Sequence, residues 1–302
     1  MKKLIITGSS GAVGTSVCEK LIRDGYELIC TDIKENSNNK EIDKITVKID
    51  LRNKAEIVNQ LPHDVDGIIH LAANVRVPQS IKDPSLAKDN LDMTFNLLEF
   101  TRETKIQNFL FASSKDVYGN FKSFYSEEDV HIEACESPYA ASKIGCESLV
   151  YAYHKCFGIN FLIFRISSVY GRYDEFDRLI PIFIRRTKEN KDIVVNGANK
   201  LLDFVHIDDL ADGLTLCLEK FEEVKNRSFN IAYGEGTTLI KIAELVKNYL
   251  GGSNNIITGE SNPGDVVKSI SDITKARKAF GYRPKIKIEE GIKRTIEKCE
   301  QS

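Results

Sequence analysis

No apolar run in the sequence approaches the ~18 residues needed to span a bilayer, so the chain is not expected in the membrane. A secretory leader is not expected either: after Met1-Lys2-Lys3, the stretch Leu4-Ile5-Ile6 breaks off at once into Thr7-Gly8-Ser9-Ser10. The seven cysteines are scattered singly, with no CxxC and no clustered histidine partner. Such a set fits buried thiols in a reducing cytoplasm, and neither a disulfide framework nor a metal site is expected. Excess charge of one sign is missing too. The formal net charge is −2, and Lys34–Lys40 and Arg185–Lys191 mix their cations with acids or Asn. Nucleic-acid binding needs a concentrated basic surface, so that class is set aside. No internal repeat or low-complexity linker interrupts the chain, and its two halves should pack directly on each other.

What remains is an ordinary globular composition, 42% hydrophobic and 28% charged, in 302 residues, which suits one large domain or two closely joined ones. In the first half, short apolar runs alternate with amphipathic stretches. Lys3–Thr7, Glu27–Thr31, Ile45–Ile49, Gly67–Leu71, Phe109–Ser113 and Phe161–Arg165 read as strands. Val13–Asp24, Lys54–Gln60, Leu86–Thr104 and Ala140–Cys156 read as helices. The alternation predicts an α/β fold with a doubly wound parallel sheet, whose ligands lie beyond the carboxyl ends of the strands. Past Arg165 the rhythm loosens. Tyr170–Asp177 reads as a loop, Asp192–Val195 and Asp203–Val205 as short strands. Arg178–Lys188, Asp208–Lys220, Leu239–Leu250, Ile273–Phe280 and Glu289–Cys299 read as helices.

The segment Thr7-Gly8-Ser9-Ser10-Gly11-Ala12-Val13-Gly14 follows the first strand and opens the first helix. Glycines three apart allow a tight turn, close approach of a pyrophosphate to the backbone, and close helix–strand packing. The freed N–H groups and the helix dipole then face the phosphates. A strand before and a helix after make this otherwise common pattern a dinucleotide site. Asp32 ends the second strand, 18 residues after Gly14. A carboxylate there accepts hydrogen bonds from both adenosine ribose hydroxyls and repels a 2′-phosphate, so NAD rather than NADP is expected. Asp50-Leu51 falls where adenine would lie, and His70-Leu71-Ala72-Ala73 ends the fourth strand, where small residues let a cofactor lie against the backbone.

Three Tyr-x-x-x-Lys matches compete: Tyr118/Lys122, Tyr139/Lys143 and Tyr151/Lys155. Tyr118 precedes the turn Gly119-Asn120, so its lysine is not held at helical spacing. Tyr151 lies 12 residues past Tyr139, or ~18 Å along a helix axis, too far from the strand ends. Tyr139 follows Ser137-Pro138 at a helix start, with Lys143 one turn on along the same face. A free tyrosine titrates near ~10 and is a poor base at neutral pH. The lysine, the helix N-terminus and a positively charged nicotinamide are expected to lower that value together. Ser113-Ser114, ending the fifth strand, offers a hydroxyl beside the reacting oxygen.

With these residues the chain resembles the extended short-chain dehydrogenase/reductases, specifically the NAD-dependent epimerase/dehydratase family. The similarity runs over nearly the whole chain. It includes Thr7–Gly14, His70–Ala73, Asn90 with Asn96-Leu97-Leu98, Ser113-Ser114-x-x-Val117-Tyr118-Gly119 and Ser137-Pro138-Tyr139–Lys143. It continues through Arg165, Val169-Tyr170-Gly171, Asp203–Leu210 and Pro263-Gly264-Asp265. The resemblance implies a Rossmann-type NAD-binding domain over 1–168, with 203–232 returning to it, and a smaller α/β substrate domain over 169–302. It makes Ser114 the catalytic hydroxyl, Tyr139 the base, Lys143 the tyrosine activator and nicotinamide-ribose ligand, and Asn90 a cofactor-side residue. It implies a nucleoside-diphosphate sugar substrate near Ser168, Arg172 and Arg178, and a homodimer formed through a four-helix bundle. Where the family often has Asn, Arg and Arg, this chain has Ser168, Leu202 and Asn262. A diphosphate would then lean on Arg172, Arg178, Lys200 or Lys268.

Within that family, sugar 4,6-dehydratases usually carry Asp-Glu or a Glu where this chain has Lys115-Asp116. Asp116 would occupy the base position with a shorter reach, Lys115 is a poor general acid at neutral pH, and the pair also reads as solvent-facing loop. A 4-epimerase needs only Ser114, Tyr139, Lys143 and retained NAD, and a sugar dehydrogenase or ketoreductase would use the same residues. A non-catalytic dinucleotide-binding regulator, the reading from another class, would typically have lost the Tyr or the Lys.

Overall fold

Strands and helices alternate from the first residues of the computed structural model, which describes residues 1–174, 177–261 and 264–301. The first half comprises β1 (Lys3–Thr7), α1 (Ala12–Arg23), β2 (Glu27–Asp32), α2 (Lys40–Lys44), β3 (Thr46–Lys48), α3 (Lys54–Gln60) and β4 (Gly67–His70). It continues with α4 (Val77–Lys82), α5 (Ser85–Thr104), β5 (Asn108–Ser114), β6 (Phe124–Tyr125), α6 (Pro138–Phe157) and β7 (Asn160–Ile166). The second half holds β8 (Ser168–Tyr170), α7 (Leu179–Lys188), β9 (Ile193–Asn196), β10 (Leu201–His206), α8 (Ile207–Glu219), α9 (Phe221–Val224) and β11 (Arg227–Ile231). It closes with β12 (Gly236–Thr238), α10 (Leu239–Leu250), β13 (Ile256–Gly259), β14 (Lys268–Ser271), α11 (Thr274–Phe280) and α12 (Ile288–Gln301).

Seven parallel strands form the main sheet in the order β11-β7-β5-β4-β1-β2-β3. Leu4, Ile5 and Ile6 are each wholly buried, because helices cover both faces of the sheet. On one face Val17, Leu214 and Phe280, from α1, α8 and α11, share a core. On the other, Ile57, Leu97 and Val150, from α3, α5 and α6, share a second. A smaller sheet, β12-β10-β14-β6 with β8 also paired to β10, and the pair β13-β9 make up the other layer. Their core is filled by α7, α10 and α12 through Phe183, Ile242 and Ile292.

The predicted elements recur with small shifts at their ends. Helix α6 begins two residues earlier than expected, because Ser137 accepts the Ala140 N–H at 3.1 Å and Pro138 suits a first helical position. Larger differences are six strands, β6, β8 and β11 to β14, that the sequence pattern does not show, and the placing of one that it does. The strand expected over Asp203–Val205 joins the smaller sheet, and it is α8 and β11, after it, that run back along the main one. The Asp203 carboxylate is the reason: it accepts N–H groups of Tyr233 and Gly234 at 2.9 Å and of Ser271 at 3.3 Å, which ties β10 to its neighbours. Strand β11 escaped notice because Ser228 and Asn230 break its apolar run, although both side chains are buried. Glu175 and Phe176, in the segment read as a loop, and Asn262 and Pro263, in the family motif, lie outside the described residues, as does the side chain of Cys299. Among the described residues no helix is long and apolar enough to cross a membrane.

Candidate active site

A cleft of 990 Å³ opens beyond the carboxyl ends of the main strands, and its wall runs from Gly8 and Asp32 past Ser114 and Tyr139 to Arg178 and Lys200. At the first end the wall is backbone. Gly8 turns the chain at φ +72°, and a Cβ there would stand 2.6 Å from the Ala72 nitrogen. A Cβ on Gly14 would stand 1.9 Å from the Gly8 carbonyl oxygen. Gly11 differs, since the nearest atom to a Cβ there is 3.5 Å away and the residue faces the cleft with Ala12 and Val13. Asp32 also lines the cleft, and its Oδ2 accepts the Ser10 N–H at 2.9 Å while Oδ1 accepts the Lys34 N–H at 3.2 Å.

Leu71, Ala72 and Ala73 continue this wall, with Asp50 and Leu51 across from them. The Arg52 guanidinium beside Asp50 holds that carboxyl below the usual range. Behind Ala72 lies a clamp that sequence reasoning missed. His70 Nδ1 meets Thr7 Oγ1 at 2.8 Å, His70 Nε2 meets Thr94 Oγ1 at 3.2 Å, and Thr7 Oγ1 accepts the Ala72 N–H at 3.2 Å. Burial holds the imidazole neutral by pushing its pKa down to about 3. Asn90, expected beside the cofactor, instead donates to Asn74 O and Ser142 Oγ at 3.1 Å and accepts the Asn74 N–H at 2.7 Å, behind the wall. A glycine turn open at Gly11 and a carboxylate facing the cleft 18 residues after Gly14 fit NAD.

Three side chains converge in the middle of the cleft. Ser114 ends β5, Tyr139 stands in the first turn of α6, and Lys143 follows one turn on. The other two tyrosines are engaged elsewhere: Tyr118 donates to Asn230 Oδ1 at 2.5 Å, and Tyr151 Oη meets Ser228 Oγ at 2.9 Å. Ser113 donates to Glu147 Oε1 at 2.5 Å, inside the buried Arg165–Glu147 pair, which leaves Ser114 as the hydroxyl at the cleft. The neighbouring Ser114 hydroxyl and Arg178 favour the phenolate. Burial, first, and the nearby Asp116 charge outweigh them and push the phenol above its usual value. The expected lowering therefore does not come from the chain's own groups. Lys143 Nζ donates to Ala112 O at 2.8 Å and stands 5.9 Å from the tyrosine ring centre, while burial brings its pKa down to about 8.

Toward the far end, cations meet acids. Arg172 reaches Ser16 Oγ at 3.2 Å, Glu19 at 3.0 Å and Asp208 at 3.2 Å, clasping α1 to α8. Arg178 Nε is 3.3 Å from Asp174, and the buried Lys200 is bonded to Asp265. Ser168 and Leu202 line the same stretch, whereas Lys268 is exposed outside it. Lys115 and Asp116 are not solvent-facing: Lys115 is 8% exposed, and the short 3₁₀ turn after β5 points both into the cleft. Nothing in the sequence distinguishes that lysine from one on an ordinary loop.

Residues 4–232 match the family model described as the NAD dependent epimerase/dehydratase family. A putative UDP-glucose 4-epimerase from Methanocaldococcus jannaschii is 32% identical over 97% of this chain and 97% of its own. The crystal structure of a Thermotoga maritima UDP-glucose 4-epimerase with UDP-glucose superposes with a TM-score of 0.90 at 28% identity, covering 99% of both chains. A Bacillus cereus UDP-glucuronic acid 4-epimerase in complex with UDP-glucuronic acid and NAD does so with a TM-score of 0.90 at 26% identity, again over 99% of both.

Proposed function

We propose that this chain, which belongs to the NAD dependent epimerase/dehydratase family, inverts C4 of a UDP-hexose with the help of NAD. The observation that carries the reading is the meeting of Ser114, Tyr139 and Lys143 in one wall of a cleft whose end is built around Asp32 and the glycine turn. NAD, which the glycine turn, Asp32 and Lys143 would hold, would supply the hydride acceptor and donor for C4. Tyr139 Oη takes the proton of the C4 hydroxyl and gives it back. Ser114 Oγ holds that same oxygen, and Lys143 supplies the nearby positive charge that makes the phenolate accessible once the cofactor's own charge is added. Lys115 and Asp116 are bonded to each other at 2.8 Å, which leaves no poised acid–base couple for a dehydration.

In this reading residues 1–168, with the returning segment, carry the cofactor and 169–302 the nucleotide, with Ser168, Arg178 and Lys200 on the sugar-nucleotide side. The enzyme works in the cytoplasm as a homodimer. Exposed Phe95 on α5 and Phe157 on α6, which flank Tyr153 at 6.5 and 5.1 Å between ring centres, support an interface through these two helices. The test is product analysis of UDP-glucose and UDP-glucuronate incubated with the NAD-loaded protein. An epimer with no net change at 340 nm is expected. A 4-keto-6-deoxy sugar, or a keto sugar with stoichiometric NADH, would replace the reading, and a monomer in sedimentation would remove the dimer.

A further inference from the structure

Beyond Ser114 the cleft wall carries an ion pair that the epimerisation itself does not use. Ser114 Oγ donates to Asp116 Oδ2 at 2.9 Å, and Asp116 Oδ1 accepts from Lys115 Nζ at 2.8 Å. The Lys115 and Asp116 side chains are only 10% and 16% exposed. Among the described residues Asp116 is the only hydrogen-bond partner of the Lys115 ammonium, which has three N–H groups to give. The pair therefore lies one hydrogen bond past the hydroxyl that holds the reacting oxygen. A sugar whose C4 oxygen rests on Ser114 would bring the substituents of the flanking carbons to this pair.

We propose that Lys115 and Asp116 together read the charge of the substituent beside the reacting carbon, and that the pair selects a neutral nucleotide hexose over a nucleotide hexuronate. The inference rests on the 4-epimerase reading and deepens it. A hydroxymethyl group finds both a donor, in the spare ammonium N–H groups, and an acceptor, in the carboxylate. An incoming carboxylate finds a cation whose charge Asp116 already takes up, and it stands against Asp116 itself. Partial burial makes these charges count for more than they would in bulk water. Removing one residue or the other shifts the balance in opposite directions: a lone Lys115 welcomes the uronate, whereas a lone Asp116 repels it more strongly.

The experiment compares kcat/KM for UDP-glucose and UDP-glucuronate in the wild type, Asp116→Asn and Lys115→Met, with NAD content and thermal melting as controls for folding. The ratio of the two substrates is the readout, so any loss from disturbing Ser114 divides out. The wild type is expected to favour UDP-glucose at least tenfold. Asp116→Asn should move the ratio at least tenfold toward UDP-glucuronate, and Lys115→Met at least threefold the other way. If one variant does not fold, the other still decides. A wild type that prefers UDP-glucuronate, or a ratio within twofold of wild type in every folded variant, overturns the proposal alone. Turnover of neither sugar removes the epimerase reading, and this proposal with it.

Discussion

A Cβ on Gly14 would stand 1.9 Å from the Gly8 carbonyl oxygen, whereas Lys200, at the opposite end of the same cleft, is a long side chain held by Asp265. The cofactor end is shaped by backbone passing close to backbone, and a substitution there has nowhere to go. The far end is shaped by side chains from distant segments meeting in pairs, as Arg172 does with Glu19 and Asp208. The Arg172 pairs are exchangeable, because losing one partner leaves a partly exposed charge that water can serve, whereas the buried Lys200 depends on its carboxylate. The cofactor end is therefore built to one shape, while the far end can be retuned pair by pair.

The largest effect should come from Gly14→Ala. Its methyl must push the turn off the helix, at a cost of at least about 3 kcal/mol, so urea melting should show a severely destabilised chain that holds no NAD. Gly11→Ala sharpens the contrast, because its methyl meets nothing nearer than the Gly8 oxygen at 3.5 Å and faces the cleft. It should melt within about 0.5 kcal/mol of the wild type yet bind NAD more weakly in a direct titration. Equal melting of the two variants would break the distinction between turn-packing and cleft-facing glycines. Next in size is Tyr139→Phe, which removes the proton carrier and keeps the ring. Turnover should fall by about 10²–10⁴ with NAD affinity little changed.

The sequence shows the cofactor end well because its determinants are local. Gly8 to Gly14 and Asp32 keep fixed spacings on one strand–turn–helix–strand unit, so position alone gives them meaning. Choosing Tyr139 over Tyr118 and Tyr151 also needed only helix geometry. What was hidden depends on contacts across the chain. Asn90 fits a motif by position, but its amide is committed to Asn74 and Ser142. That β10 sits in the smaller sheet is equally hidden, because three N–H groups from elsewhere in the chain hold Asp203 there. Lys115 reads as a loop cation until the turn after β5 is seen to fold it inward.

Asp32 should give a smaller, more selective effect. It does two tasks, accepting the Ser10 N–H and presenting charge to the cleft. Asp32→Asn keeps an acceptor for the turn and removes the charge. The wild type should favour NAD over NADP at least tenfold, or about 1.4 kcal/mol. The Asn variant should lose most of that preference without a large change in melting. Equal affinities for the two cofactors in the wild type would remove Asp32 as the selector.

The smallest effect expected is the pH dependence of NAD binding, and its sign separates ligand contact from fold. Burial lowers Lys143 from 10.5 to about 8, so the group is an ammonium below pH 8 and a neutral amine above it. If the ammonium donates to the nicotinamide ribose, it loses the charge-assisted part of that bond as pH rises, on the order of 1 kcal/mol. NAD affinity should then fall by about threefold to fivefold between pH 7 and pH 9. Folding responds oppositely. Between about 8 and 10.5 the unfolded chain holds a proton on this lysine that the folded chain has released, so the group's contribution to stability rises with pH across that window. Lys143→Met has neither proton nor charge, and it should flatten both trends. The informative quantity is thus wild type minus variant, which cancels every other group that titrates in the same range. A wild-type affinity flat from pH 7 to 9, or a decline that persists in Lys143→Met, would take Lys143 off the cofactor and leave it as a buried prop for the Ala112 carbonyl.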